Sequence, residues 1–171
     1  MNWSQLISSV RLGKERNAKL ATEQRTEFQR DFDRLIFSSP FRRMQNKTQV
    51  FPLPGSIFVH NRLTHSLEVS SVGRSLGADV GRELMKCHPD LPPTFAESIS
   101  AIVSAACLAH DMGNPPFGHS GEAAIRSFFE EGKGLRLKEK LPQAVWEDIT
   151  RFDGNANTFR LLTHQFNGRR R

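Results

Sequence analysis

The 171-residue sequence contains no tyrosine and only two cysteines, Cys87 and Cys107. The two cysteines do not form a CxxC pair, so neither a zinc knuckle nor a disulfide framework is expected. No apolar run approaches the roughly eighteen residues that a transmembrane helix needs. The N-terminus lacks a charged start followed by a long apolar stretch, which argues against a secretory signal. These absences make the cytoplasm the expected location and exclude a membrane partner.

Strand signals are also scarce, because alternating runs of Val, Ile and Thr are missing. The hydrophobic fraction of 37% and the charged fraction of 25% are typical of a globular protein of one ordinary domain. The chain carries 24 Lys and Arg against 18 Asp and Glu, a net charge of +6. This balance favours a polyanionic partner, either nucleotide phosphates or nucleic acid. A cationic, solvated surface explains the charge equally well.

The longest periodic segment runs from residue 61 to residue 85. Its larger apolar residues recur at helical spacing and form one stripe: Leu67, Val72, Leu76, Val80 and Leu84. On another face, Gly73, Gly77 and Gly81 lie four residues apart. Each glycine costs roughly 1 kcal/mol of helix propensity relative to alanine. We therefore predict a second helix packed closely against the glycine face.

Helical spacing, caps and breakers predict further helices along the chain. They cover about residues 22–37, 95–109 and 119–131, with two more flanking the turn at Asp153-Gly154. The 95–109 segment is small and apolar nearly all round, so we expect it to be central and buried. Gly113 ends this segment. The sequence therefore predicts an all-α fold.

The segment "CLAHDMGNPPFGHSGE", residues 107 to 122, concentrates the residues able to carry chemistry. His110 and Asp111 close the predicted buried helix, where both side chains can reach one ion. Imidazole nitrogen with carboxylate oxygen suits Mn²⁺, Fe²⁺, Zn²⁺ or Ni²⁺, and Mg²⁺ less well. A His-Asp pair alone is more often an ordinary polar helix end. His65 stands at the start of the long helix in "HNRLTHSLEV", and a third nitrogen ligand there would make a three-point site.

A second pair, His119 and Glu122, lies three residues apart on one face of the following helix. A histidine held by a carboxylate is a common general acid–base arrangement. Taken alone, the pair is more simply a surface contact. Beside three ligand-type residues, it indicates a proton-transfer pair next to a metal.

Four segments resemble, in order, successive blocks of the deoxyguanosine triphosphate triphosphohydrolases, which belong to the HD superfamily of metal-dependent phosphohydrolases. The segments span about residues 35–165 and read "RRMQNKTQVFPL", "HNRLTHSLEVSSVGR", "CLAHDMGNPPFGHSGE" and "FDGNANTFRLLT". The resemblance implies an HD-domain helical bundle, with residues 1–171 forming a single domain that is the N-terminal portion of such an enzyme. It implies His65, His110 and Asp111 as metal ligands, with His119 and Glu122 as the catalytic pair.

The resemblance also implies four substrate-binding residues. Gln49 matches a residue that contacts the deoxyribose, and Arg62 matches a phosphate-binding arginine. Asn114 stands where relatives have a polar residue near the triphosphate, and Asn155 matches the asparagine of the last block.

The chain departs from the family pattern in its last block and in its length. Asp153 and Asn157 stand where the family has Glu and Gln. The family's fourth metal ligand is an Asp on a later helix, and neither Asp148 nor Asp153 occupies that block. We therefore expect a chain truncated at its C-terminus and weakly active or inactive alone. Apolar surface should be exposed on the long helix and after Asn155, which favours self-association.

The predicted function is metal-dependent hydrolysis of a dNTP, dGTP-like, to deoxynucleoside and triphosphate. The expected cofactor is Mn²⁺ or Mg²⁺, with Fe²⁺, Ni²⁺ or Zn²⁺ as the other candidates. One alternative is an inactive or weakly active module that binds single-stranded nucleic acid through its basic surface, or that forms homo-oligomers. The other alternative is a different phosphodiesterase of the HD superfamily.

Overall fold

The computed structural model describes residues 2–10, 25–48 and 61–164. Within these ranges there is no β-strand, and a single isolated bridge joins Thr48 to Asn61. Helices make up most of the described structure: α1 (Trp3–Leu6), α2 (Glu27–Phe37), α3 (Ser39–Arg43), α4 (Arg62–Cys87), α5 (Phe95–Ala109), α6 (Gly118–Glu130), α7 (Gln143–Thr150) and α8 (Gly154–Thr163). Two 3₁₀ helices, Met44–Asn46 and Lys133–Lys140, complete them. The all-α prediction is confirmed. A search of the described residues finds no helix with the length and hydropathy of a membrane span.

The chain divides into two compact units. The first consists of Met1–Ser38 and Ser66–Leu108, and the second of Ser39–His65 and Ala109–Arg171. The second unit contains every described residue that the sequence predicts for the site. The prediction of a single domain over residues 1–171 stays a prediction.

In the first unit, the glycine face of α4 packs against α5. A Cβ added to Gly81 would lie 2.6 Å from the Cα of Ala96. One added to Gly77 would lie 3.1 Å from the Cα of Ser100. The missing side chains thus let the two backbones approach, and the resulting contact offsets the low helix propensity of glycine. The predicted close neighbour of the glycine face is confirmed.

The apolar stripe of α4 is exposed. The side chains of Val72, Leu76 and Val80 are 54–61% exposed, while the glycine face is buried. Phe159 and Leu162 on α8, in the second unit, are also exposed. The exposure expected for the long helix and for the segment after Asn155 is therefore present in the described residues.

The prediction that α5 is central and buried was wrong for most of its residues. Phe95 and Leu108 are buried, but Ala106 is exposed and most of the remaining residues of this helix are half-buried. The close contacts with the glycines of α4 lie on one face of α5, at Ala96, Ser100 and Val103. The ring of Trp3 packs edge-on against Phe95, at 6.2 Å between centroids.

The second unit builds a small aromatic cluster and then turns into α8. Phe129 on α6 makes edge-on contacts with Phe128 and with Trp146 on α7. Asp153 caps α8, because its Oδ1 accepts a hydrogen bond from the backbone N–H of Ala156 at 2.8 Å. The helix start predicted at Asp153-Gly154 is confirmed.

Candidate active site

A local cap positions His65 in the first turn of α4. Asn61 and Thr64 bond reciprocally: Asn61 Oδ1 accepts from the Thr64 backbone N–H at 2.9 Å, and Thr64 Oγ1 accepts from the Asn61 N–H at 3.2 Å. The backbone N–H of His65 donates to the Asn61 carbonyl at 3.1 Å. These contacts satisfy N–H groups that a helix start leaves without intrahelical partners. The local sequence therefore fixes the start of α4 and places Arg62 and His65 in its first turn.

The structure brings the three predicted metal ligands together. One ligand atom each from His65, His110 and Asp111 lies within 4.8 Å of the other two. The two imidazole centroids are 5.3 Å apart, and His110 Nε2 is 3.6 Å from Asp111 Oδ1. Within the part of the chain that the structure describes, no fourth His, Cys, Asp or Glu joins this group. Neither Asp148 nor Asp153 lies in this group.

The chemistry and spacing of these three side chains fit a divalent metal. Two imidazole nitrogens and one carboxylate oxygen are donors that transition-metal dications accept readily. Ligand atoms about 2.1 Å from one ion stand at most about 4.2 Å apart. Only a small inward movement of the half-buried histidines would therefore complete the contacts.

Asp111 is buried, and both of its carboxylate oxygens are hydrogen-bonded. Arg62 Nη1 donates to Oδ2 at 2.7 Å, and Asn114 Nδ2 donates to Oδ1 at 2.6 Å. The Arg62 side chain is only 3% exposed. Its Nε is a buried donor without a hydrogen-bond partner among the described residues. Arg62 therefore neutralises Asp111 here, and its predicted phosphate contact stays a prediction, as does the role of Asn114 near the triphosphate.

The turn after His110-Asp111 packs directly onto the first turns of α8. The backbone N–H of Gly113 donates to Thr158 Oγ1 at 2.9 Å, and Asn157 Nδ2 donates to the Gly113 carbonyl at 2.9 Å. A Cβ at Gly113 would overlap the backbone of Gly154 and Thr158. Only glycine fits at this position, because two backbone segments meet there.

Lys47 contacts the same turn, and the sequence prediction missed this residue. Its Nζ donates to the carbonyl oxygens of Met112 and Asn114, at 3.0 Å each. Burial, followed by the positive charge of Arg62, lowers the pKa of Lys47 below its ordinary value. The available signal was its place in the "KTQVFP" block, two residues before Gln49. Gln49 itself lies outside the described residues.

His119 and Glu122 are in contact, and their role as a proton-transfer pair stays a prediction. His119 Nδ1 lies 2.9 Å from Glu122 Oε2, and the backbone N–H of Gly154 donates to Glu122 Oε1 at 2.8 Å. The Glu122 side chain is 8% exposed, whereas that of His119 is 96% exposed. The hydrogen bond with His119 lowers the pKa of Glu122, and the Gly154 N–H adds to this, while burial opposes both. A buried carboxylate at the N-terminus of α8 thus orients an accessible imidazole.

Asn114, which binds Asp111, and Glu122 of the proton-transfer pair both contact Gly154. A Cβ at this residue would lie 2.8 Å from Glu122 Oε1 and 2.9 Å from Asn114 Cγ. Asn155, the next residue, is exposed at the start of α8. The structure thus places Asn155 next to the contact point, and its substrate role stays a prediction.

The turn that leads into α6 carries local backbone strain. Phe117 has φ +66° and Gly118 has φ +57°, so both lie in the left-handed region. A non-glycine residue there costs on the order of 1 kcal/mol. Half of the Phe117 side chain is exposed, so burial of its ring offsets only part of this cost.

Comparison with known proteins places this site in a family context. The HD domain family matches residues 62–151, more than half of the chain. A deoxyguanosinetriphosphate triphosphohydrolase-like protein from Pseudomonas aeruginosa is 47% identical over 98% of this chain and 38% of its own length. A protein of the same description from Synechocystis is 49% identical over 95% of this chain and 37% of its own. A deoxyguanosinetriphosphate triphosphohydrolase from Yersinia enterocolitica is 35% identical over 95% of this chain and 38% of its own length. The chain therefore spans a little over a third of the length of these relatives.

Proposed function

The chain belongs to the HD domain family, and we propose that its site hydrolyses nucleotide phosphate esters with the help of a divalent metal. More specifically, we propose hydrolysis of a deoxynucleoside triphosphate, dGTP-like, to deoxynucleoside and triphosphate. The observation that carries the proposal is the convergence of His65, His110 and Asp111, and the hydrogen-bonded His119–Glu122 pair supports it. The names of the relatives, deoxyguanosinetriphosphate triphosphohydrolase or its like, support the substrate.

His65, His110 and Asp111 would hold the metal in this proposal. A divalent metal at that position supplies Lewis-acid polarisation of a phosphate oxygen. Arg62 pairs with the Asp111 carboxylate and fixes its orientation through the buried 2.7 Å contact. Asn114 holds the other carboxylate oxygen, so the ligand does not need to reorient when substrate binds.

Glu122 and His119 handle the proton. With Glu122 ionised, its Oε2 favours the tautomer of His119 that carries hydrogen on Nδ1. The other ring nitrogen, Nε2, is then free to accept a proton from the attacking water or, when protonated, to donate one to the leaving oxygen. The near-complete exposure of the imidazole leaves it accessible to a substrate.

Fixed positive charge favours a polyphosphate substrate. The Arg62 guanidinium forms an ion pair with Asp111, and the Lys47 ammonium interacts electrostatically with both residues. A triphosphate brings several negative charges, which such cations offset most strongly where water is excluded. Phosphate chemistry is therefore a better match for this site than hydrolysis of a neutral ester.

The test is a metal titration of the purified chain combined with a substrate panel. The panel contains the four dNTPs, cyclic nucleotides and nucleotides with a 3′-pyrophosphate, each assayed with Mn²⁺ and with Mg²⁺. We expect turnover, weak because the described residues contain no fourth ligand, that releases triphosphate from a dNTP. His119→Ala should remove it, and His88→Ala, a histidine of the first unit, should not.

Three results would contradict the proposal. Cleavage of cyclic or 3′-pyrophosphate nucleotides in preference to dNTPs would indicate a different HD-family phosphodiesterase. Release of orthophosphate from a dNTP would place the attack at another phosphorus atom. Failure of the chain to bind Mn²⁺ at millimolar concentration would remove the metal centre altogether.

A further inference from the structure

We propose that Lys47 is a positioning residue that holds the two metal-ligand segments in register; this proposal rests on the proposed function. Lys47 lies outside the residues matched by the HD domain family, which begin at residue 62. Its side chain nevertheless reaches the turn that follows His110 and Asp111, 65 residues further along the chain. No predicted ligand or catalytic role involves this lysine.

The main chain and the side chain of Lys47 bind different segments of the site. Its carbonyl oxygen accepts a hydrogen bond from the backbone N–H of Arg62 at 3.1 Å, at the start of the helix that carries His65. Its Nζ donates to the carbonyls of Met112 and Asn114 at 3.0 Å each. One residue therefore ties the start of α4 to the turn that follows Asp111.

The two carbonyls that Lys47 binds belong to the residues on either side of Gly113. Gly113 itself is hydrogen-bonded to α8. The N–H and the carbonyl of Gly113 are bonded to Thr158 and Asn157. The polar backbone groups of this turn are thus bound by Lys47 and by α8 together. This double hold keeps the Asn114 amide 2.6 Å from Asp111 Oδ1, and loss of one side should loosen that contact.

The charge of Lys47 and its geometry act in opposite directions on a metal. Positive charge near Asp111 repels a dication, so an electrostatic effect alone would make metal binding tighter when Lys47 is neutralised. A positioning effect would make it weaker, because outer contacts that orient ligands typically contribute 10- to 100-fold in metal affinity. The sign of the change therefore distinguishes the two.

The experiment compares the wild-type chain with Lys47→Met, Lys47→Arg and the control Lys86→Met, whose lysine is exposed and paired with Glu83. Free Mn²⁺ is measured by electron paramagnetic resonance during titration. Hydrogen exchange is measured by mass spectrometry on peptides covering residues 109–116. We expect roughly tenfold or weaker Mn²⁺ binding and faster exchange in the turn for Lys47→Met. Lys47→Arg, which keeps several N–H donors, should restore most of both, and Lys86→Met should change neither.

Each outcome decides the proposal. Equal or tighter Mn²⁺ binding by Lys47→Met would overturn it, as would unchanged exchange over residues 109–116. Wild-type chain that binds no Mn²⁺ would refute the proposed metal centre, while the exchange measurement would still decide the role of Lys47. If Lys47→Met does not fold, as judged by circular dichroism, Lys47→Gln replaces it. That variant keeps an N–H donor on a shorter side chain. We expect its turn to exchange faster than in the wild type and in Lys47→Arg, but more slowly than an unprotected turn. An exchange rate equal to that of the wild type would overturn the proposal.

Discussion

Replacing Arg62 by methionine should destabilise the metal-free protein strongly, because Asp111 would lose its cation in a buried site. Arg62 and Asp111 form a 2.7 Å ion pair in which the side chains are 3% and 9% exposed. Methionine fills much of the same space without charge or donors. The Asn114 amide would remain as the hydrogen-bond donor to the carboxylate.

The size of the effect follows from the burial of the pair. Removing one partner of a buried ion pair costs about 3–5 kcal/mol, because the other charge is left uncompensated. Two features favour the lower end: the Asn114 bond stays, and the Nε of Arg62 is already a buried donor that the substitution eliminates. We expect about 3 kcal/mol, roughly a 150-fold change in the folding equilibrium. The exposed pair of Arg34 with Asp31 should contribute about 0–1 kcal/mol.

Urea unfolding in EDTA, followed by far-ultraviolet circular dichroism, measures these differences. The set comprises Arg62→Met, Asp111→Asn, the double variant and Arg34→Met as a control. We expect the double variant to be far less destabilised than the sum of the two single variants, since each removes the same interaction. A cost for Arg62→Met no larger than that for Arg34→Met, or strict additivity with Asp111→Asn, would refute the reasoning.

Three further predictions concern the proton-transfer pair and the turn on α8. The pKa of Glu122 is held below its ordinary value, so its carboxylate stabilises the fold fully above about pH 4.5, and this stabilisation disappears as the pH falls through the folded-state pKa. The stability difference between wild type and Glu122→Gln should therefore shrink between about pH 5 and pH 3 in acid-unfolding curves, and a constant difference would contradict this. His119→Ala should abolish dNTP hydrolysis and leave Mn²⁺ binding unchanged, because His119 is not in the ligand group. If the variant instead loses the metal and retains slow turnover, the assigned roles are reversed. Gly113→Ala would push a methyl group into the backbone of Gly154 and Thr158. The midpoint of thermal unfolding should therefore fall by at least about 5 °C. An unchanged midpoint would show that the turn can move away from α8.

Local sequence determined those parts of the protein that depend on contacts a few residues apart. The Asp153 cap of α8 bonds Ala156, and the Asn61 cap of α4 bonds Thr64, each three residues away. Such contacts leave a recognisable pattern in the sequence, which is why these two helix starts were predicted closely. The convergence of His65 with His110 was expected from family resemblance, since spacing alone left a polar helix end as the simpler interpretation.

Only the tertiary structure decided what holds the site in shape. The contact of Lys47 with Met112 crosses 65 residues, and that of Gly113 with Thr158 crosses 45. A lysine that will bind two buried carbonyls has the same local sequence signature as one on the surface.

The buried face of α4 was a similar case. Periodicity marks both its large apolar stripe and its glycine face, and both can pack against a neighbouring helix. In the described residues the glycine face is buried against α5, and Val72, Leu76 and Val80 are exposed. The choice depends on which neighbour approaches, because close backbone contact requires the absence of side chains on one particular face.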